Sequence, residues 1–177
     1  PKLSSNEEAL EFIVRAIKDS GYSSNEVRIA LDVAATSFYQ HDGYHVKISG
    51  LKKILKSEEL LDWYKHLVRQ YPIISIEDGF HEEDWTAFSR LTDELGSSIQ
   101  IVGDDLTVTN TVRIEKAIQN KAINSVLIKP NQIGTLTETM NAVAMTAQQG
   151  WIPCASHRSG ETTDTFIADI AVGLSCG

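Results

Sequence analysis

Apolar positions along the chain change period repeatedly, and each change marks a new element. Leu10, Ile13, Val14 and Ile17 recur at helical spacing, after a possible cap at Ser4 or Ser5 and acids at Glu7 and Glu8. Gly21 ends that helix. Residues 27–34 (VRIALDVA) form a β-branched run that predicts a strand carrying one acid, Asp32. Between Phe38 and Lys47, short strand-like pieces flank the Asp42-Gly43 turn and predict a small hairpin. Ser57 is placed to cap a second helix, with Leu60, Leu61, Tyr64, Leu67 and Val68 on its apolar side and Pro72 as its stop. Alternation then continues: strand 73–76, helix 82–95 before Gly96, strand 99–102, a helix after Thr109-Asn110, and strand 125–128. A capping box, Thr135 to Glu138, opens a helix that runs to Gly150. Strand 151–155 and a last helix from about Asp164 complete the pattern.

One helix followed by five strand–helix units predicts an α/β fold, a parallel sheet with helices packed outside. Asp32, Glu77, Asp104, Lys129 and His157 fall at or near the C-terminal ends of the five predicted strands, although strand-like sequence continues for a few residues past Asp32. In a (β/α) barrel those ends converge on the catalytic mouth. Charged groups ending apolar strands are costly unless paired or bound to metal, so the recurrence points to a site.

Composition narrows the setting. The 177 residues carry a net charge of −8, which argues against nucleic acid or an anionic membrane as partner. No apolar run approaches the roughly 20 residues of a membrane span. The opening residues, Pro1 to Ser4, show no signal peptide and no initiator Met, as expected for a piece of a longer chain. Two cysteines, Cys154 and Cys176, suit a reducing, cytoplasmic setting. His41 and His45 flank an exposed turn and read as surface residues rather than as a metal pair.

Three carboxylates on neighbouring strands, Asp32, Glu77 and Asp104, are hard oxygen donors that suit Mg²⁺. Without a cation they would repel and take up protons. The alternative is that each is neutralised by an internal Lys or Arg. Asp78 and Asp105 follow two of these acids directly and are expected to point away or to support them. Lys129, on the next strand, is placed as a base if its amine is neutral, or as the salt-bridge partner of one of the acids. The Ser156-His157-Arg158-Ser159 loop groups an imidazole, a guanidinium and two hydroxyls where a substrate anion can be held, unless it is only a solvated polar loop. Cation, amine and anion clamp together suggest proton removal next to a carboxylate.

These residues sit in stretches that resemble the enolase (phosphopyruvate hydratase) family: LDVAATSFY around Asp32, SIED around Glu77, GDDLTVTN around Asp104, IKPNQIGTLTET around Lys129 and SHRSGETTDTFIADIAVG around His157. The resemblance covers essentially the whole chain, and its last two motifs separate enolase from mandelate-racemase-like relatives. It implies a partial TIM-type barrel of the enolase superfamily, family strands three to seven, spanning residues 1–177. By the same resemblance, the N-terminal domain, the first two barrel strands and the last strand, with a second active-site lysine, are expected to lie outside these residues. It further implies reversible, Mg²⁺-dependent dehydration of 2-phosphoglycerate to phosphoenolpyruvate in glycolysis and gluconeogenesis, in a cytoplasmic homodimer. By motif, Asp32, Glu77 and Asp104 match the metal ligands, the last two also facing the substrate. Lys129 matches the base, and Ser156, His157, Arg158 and Ser159 match the substrate loop. Two departures stand out: Gly79 and Thr111 occupy positions where the family usually has Pro. The first is expected to loosen its loop. Alternatives to catalysis by this enzyme are a non-catalytic binding role of the same fold and a superfamily relative acting on another carboxylate.

Overall fold

In the computed structural model, which describes residues 3–177, the first helix α1 (Asn6–Asp19) starts where the Ser5 hydroxyl satisfies one of its free amides. Ser5 accepts from the Glu8 amide, and Glu8 in turn accepts from the Ser4 hydroxyl at 2.6 Å. Strand β1 (Ile29–Asp32) follows, shorter than the apolar run suggests. It stops at Asp32 because Ala34 turns left-handed (φ 45°) and leads into a 3-10 turn over Ala35–Phe38. Asp32 is therefore the last residue of its strand, and the strand-like sequence after it is not strand.

The hairpin is present and larger than expected. Strands β2 (Tyr39–Gln40), β3 (Gly43–Ile48) and β4 (Leu51–Leu55) form a three-stranded antiparallel sheet. The third strand, LKKIL, shows no alternation to mark it, because its first four residues are all exposed. Helix α2 (Ser57–Gln70) begins one residue earlier than a Ser57 cap would place it. Glu59 accepts from the Lys56 amide at 2.8 Å, and the Ser57 hydroxyl is free to donate to Asp84 at 2.6 Å.

Strand β5 (Ile73–Glu77), helix α3 (Trp85–Leu95), strand β6 (Gln100–Gly103), helix α4 (Thr111–Asn120) and strand β7 (Ser125–Ile128) continue the alternation. Helix α3 starts three residues later than its apolar pattern suggests, because Asp84 caps it by accepting from the Ala87 amide at 3.2 Å. After β7 come a single turn of helix, α5 (Pro130–Ile133), helix α6 (Leu136–Gln148), strand β8 (Ile152–Ala155) and helix α7 (Phe166–Gly173). The short α5 has no periodic signal; Pro130 at its first position fixes the backbone there.

The five long-range strands form one parallel sheet in the order β1-β5-β6-β7-β8. Every residue of β7 is buried, as expected for a parallel strand covered on both faces. The outer core joins Leu60, Leu61 and Tyr64 of α2, Ile76, Phe88 and Leu91, with Phe80 edge-on to both Tyr64 and Phe88. Asn124 ties the N-terminal end of the sheet: it accepts from the Ile101 amide at 2.7 Å and donates to Gly96 O and Ile99 O. A (β/α)₈ barrel has eight strands. This chain supplies an arc of five, leaving one edge of β1 without a ladder partner among the described residues.

Gly79 does not loosen its loop. Its carbonyl accepts from the buried Tyr64 hydroxyl at 2.7 Å, and a Cβ there would lie 3.2 Å from both Ile76 and Leu91. Packing holds this segment where a ring would otherwise have restricted it.

Candidate active site at the C-terminal ends of the parallel strands

Register brings the charged residues to one face. Asp32 of β1 stands level with Glu77 of β5, and Glu77 stands level with Val102 of β6. Val102 is level with Ser125 of β7. Side chains alternate along a strand, so Asp104, two residues past Val102, and Lys129, four past Ser125, share the face of Glu77. Ser156, one residue past the Ala155–Ile128 pair, is level with Lys129 and completes the row. From β5 to β6 to β7 the charged residue advances two positions past its level partner each time. That stagger is the shear by which a sheet curls into a barrel.

The charges are packed closely. Lys129 Nζ is ion-paired with Asp104 Oδ2, and the two side chains are only 15% and 13% exposed. This is the salt-bridge arrangement anticipated as the alternative for Lys129. The other oxygen, Asp104 Oδ1, is buried without a hydrogen-bond partner. Glu77 is pushed up to about 7, first by burial and then by the negative charges of Asp32, Asp104 and Asp78, with Lys129 pulling the other way. Neither Asp32 nor Glu77 has an ion-pair partner among the described residues.

The acids whose ligand atoms all lie within 4.8 Å of one another are Asp78, Asp104 and Asp105, of which only Asp104 belongs to the trio singled out from the sequence. Asp78 is 3% exposed and sits at φ 45°, in the left-handed region. Its Oδ1 accepts from the Asp104 amide at 2.9 Å and its Oδ2 from the Asp105 amide at 2.7 Å. Burial pushes the Asp78 carboxyl up to about 7 against the pull of those amides. Burial, then the neighbouring Asp104, also raises Asp105.

The loops are fastened to one another. Thr109, fully buried at φ 57°, accepts from the Lys129 amide at 2.9 Å, and so fixes the backbone from which the lysine projects. Ala34, Asp78, Val108 and Thr109 are all non-glycine residues at positive φ, and all lie in the loops following β1, β5 and β6. Such strain gathers where surrounding structure holds a loop in a required shape. On the far side, Glu161 accepts from Asn131 Nδ2 at 2.6 Å and from the Arg158 amide at 3.0 Å. His157, Arg158 and Ser159 are exposed, and the hydrogen bonds of His157 and Ser156 stay within the loop or on β7. Thr109, Asn131 and Glu161 are not singled out by the sequence; a hydroxyl or amide in a polar loop carries no local sign of the partner it will meet.

The donor set fits a hard divalent cation. Three carboxylates share a face, one buried oxygen lacks a partner among the described residues, and burial followed by the neighbouring acids holds the proton on Glu77. A parallel β/α arc with acids, a lysine and a polar loop at the C-terminal ends of its strands defines a β/α-barrel domain with its active face at that mouth. The chain belongs to the enolase family: the family model described as "Enolase, C-terminal TIM barrel domain" matches residues 1–177.

Proposed function

We propose that these residues form part of the catalytic barrel of a phosphopyruvate hydratase, which interconverts 2-phosphoglycerate and phosphoenolpyruvate with release or uptake of water. The observation that carries this reading is the Lys129–Asp104 pair beside Glu77 on the active face of an enolase-family barrel domain. Asp32, Glu77 and Asp104 would hold Mg²⁺, which when bound supplies positive charge beside the substrate carboxylate.

Lys129 takes the proton from C2, next to that carboxylate. To do so its amine must leave Asp104 and give up to solvent the proton it carries in that pair; a cation held by Asp104 would favour both. Loss of the C3 hydroxyl as water then completes the double bond, with a proton from a group that the 177 residues do not identify. Ser156, His157, Arg158 and Ser159 hold the substrate anion, with Arg158 and Ser159 on the phosphate, a task suited to the guanidinium fork of Arg158. Glu161 and Asn131 keep that loop joined to the segment after Lys129.

Residues 1–177 are then an incomplete domain, since three of the eight barrel strands lie outside the five described. The setting we propose is cytoplasmic, in glycolysis and gluconeogenesis, within a homodimer and without nucleic acid as partner. No helix among the described residues is long and apolar enough to cross a membrane.

The reading is tested in a chain that completes the barrel around these residues. Phosphoenolpyruvate should form from 2-phosphoglycerate only with Mg²⁺ present, and Asp104→Asn should remove the activity. Turnover of an unphosphorylated hydroxy acid in preference to 2-phosphoglycerate would instead favour a different superfamily reaction.

A further inference from the structure

Asp78 and Asp105 follow the proposed ligands Glu77 and Asp104 in the same way, yet the structure uses them differently. Asp78 contributes its side chain: both carboxylate oxygens accept a backbone amide, those of Asp104 and Asp105 at 2.9 and 2.7 Å. Asp105 contributes its amide to that arrangement. The backbone of Asp78 is fixed as well, its N–H donating to Val102 O at 3.1 Å and its carbonyl accepting from the Ala35 amide at 3.0 Å. Alternation along the strand already turns Asp78 away from the face of Glu77, and at φ 45° its carboxylate is brought onto the amides of the neighbouring loop. Aspartate tolerates the left-handed region better than most residues with a Cβ.

We infer that Asp78 is a positioning residue that fixes where the Asp104 carboxylate points, and that the compact Asp78–Asp104–Asp105 group is not itself a cation site. Two N–H groups present their positive ends to Asp78, an arrangement that favours an anion and opposes a cation between them. The amide of Asp104 cannot rotate without losing its bond, so its side chain is delivered to Lys129 on one oxygen while the other stays buried and unpartnered. Asparagine cannot replace Asp78, because its NH₂ would face one of the two amides. Glycine can adopt the backbone at no cost but leaves both amides without an acceptor. The inference rests on the cation reading above only for its consequence, not for the hydrogen bonds themselves.

The test uses the 177-residue protein and Mn²⁺ as a paramagnetic probe, with amide exchange read by NMR. In the unaltered chain, the Asp104 and Asp105 amides should be protected and should show hydrogen-bond couplings to the Asp78 carboxyl carbon. Asp78→Gly should lose protection of both amides and Asp78→Asn of one, and each should bind Mn²⁺ about 10–100-fold more weakly, the range found for residues that support metal ligands. Asp105→Asn, which keeps its amide, should stay within about threefold of the unaltered chain, whereas loss of a true ligand costs far more. If Asp105→Asn weakens binding as much as Asp78→Gly, the three acids act together as ligands and the inference is overturned. Rapid exchange of both amides in the unaltered chain would overturn it too. Should the Asp78 variants fail to fold, the couplings and Asp105→Asn still decide. Should the unaltered chain bind no Mn²⁺, the cation reading fails, while the couplings still decide whether Asp78 holds the loop.

Discussion

Lys129 and Asp104 neutralise each other at the mouth of the sheet, although the chemistry proposed for them requires both to be free. The pair is drawn from neighbouring strands and is largely shielded from water, so removing one member leaves a charge that solvent cannot stabilise. On the proposed reading, a divalent cation and the lysine would compete for Asp104, and binding of the cation would release the amine, coupling readiness of the base to occupancy of the metal site.

That competition separates the two candidate bases. In a chain that completes the barrel, Lys129→Ala should abolish exchange of the substrate C2 hydrogen with solvent deuterium, while Mg²⁺ binding is kept or tightened. Without cation the same variant should lose about 3–5 kcal/mol of stability, the cost of leaving one member of a buried ion pair alone. His157→Ala should lower turnover yet retain exchange, because His157 is exposed on the anion loop. Exchange at the parent rate in Lys129→Ala would transfer the role of base to His157.

Stability should depend on pH in an unusual direction. Glu77 and Asp78 are both raised to about 7, from 4.5 and 3.8 respectively. The folded chain thus binds more protons than the unfolded chain between about pH 4 and 7. Without divalent cation, stability contributed by these groups is full below about pH 4 and is lost as pH rises through about 7. Mg²⁺ should offset that loss, stabilising the fold more at pH 8 than at pH 5. Thermal melts across pH, with and without Mg²⁺, measure both effects; identical Mg²⁺ stabilisation at both pH values would contradict this account.

At the opposite end of the sheet, Asn124→Ala should cost about 2–3 kcal/mol, because it removes an acceptor from the Ile101 amide and a donor from two carbonyls. Urea denaturation should show the loss with an unchanged dependence on denaturant.

Thr111→Pro should do the reverse. Thr111 is the first residue of α4, just after the Asn110 cap, where proline's fixed φ suits the helix and its missing N–H is not needed. A gain of about 0.4–1 kcal/mol is expected. A lower melting temperature would show that the Thr111 hydroxyl or amide has a role not evident from its contacts.

The 177 residues by themselves should not turn over 2-phosphoglycerate and should self-associate. Among the described residues the outer edges of β1 and β8 have no ladder partner, and open edges of parallel sheets invite pairing with other chains. Sedimentation at increasing concentration measures the association, and conversion of 2-phosphoglycerate by this chain would contradict the first expectation.

Local chemistry makes much of the protein legible in its sequence. Short apolar runs ending in a charge mark β5, β6 and β7, and their ends place Glu77, Asp104 and Lys129; the apolar run through Asp32 continues past the end of β1, and β8 stops two residues before His157. Caps at Ser5, Asn110 and Thr135 are readable because the hydroxyl or amide and the helix it serves are adjacent in the chain. Strand β4 is not, since it lies at a sheet edge and shows no alternation. Tertiary structure alone decides the contacts between loops: the carboxylate of Asp78 on the amides of Asp104 and Asp105, Thr109 under Lys129, and Glu161 across to Asn131. Each joins residues at least 20 positions apart, and left-handed backbone at Ala34, Asp78, Val108 and Thr109 has no glycine to announce it. Sequence specifies which groups reach the mouth, because strand ends are set by local pattern. Only the curvature and register of the assembled sheet set which of those groups touch, because that depends on strands far apart in the chain meeting at one stagger.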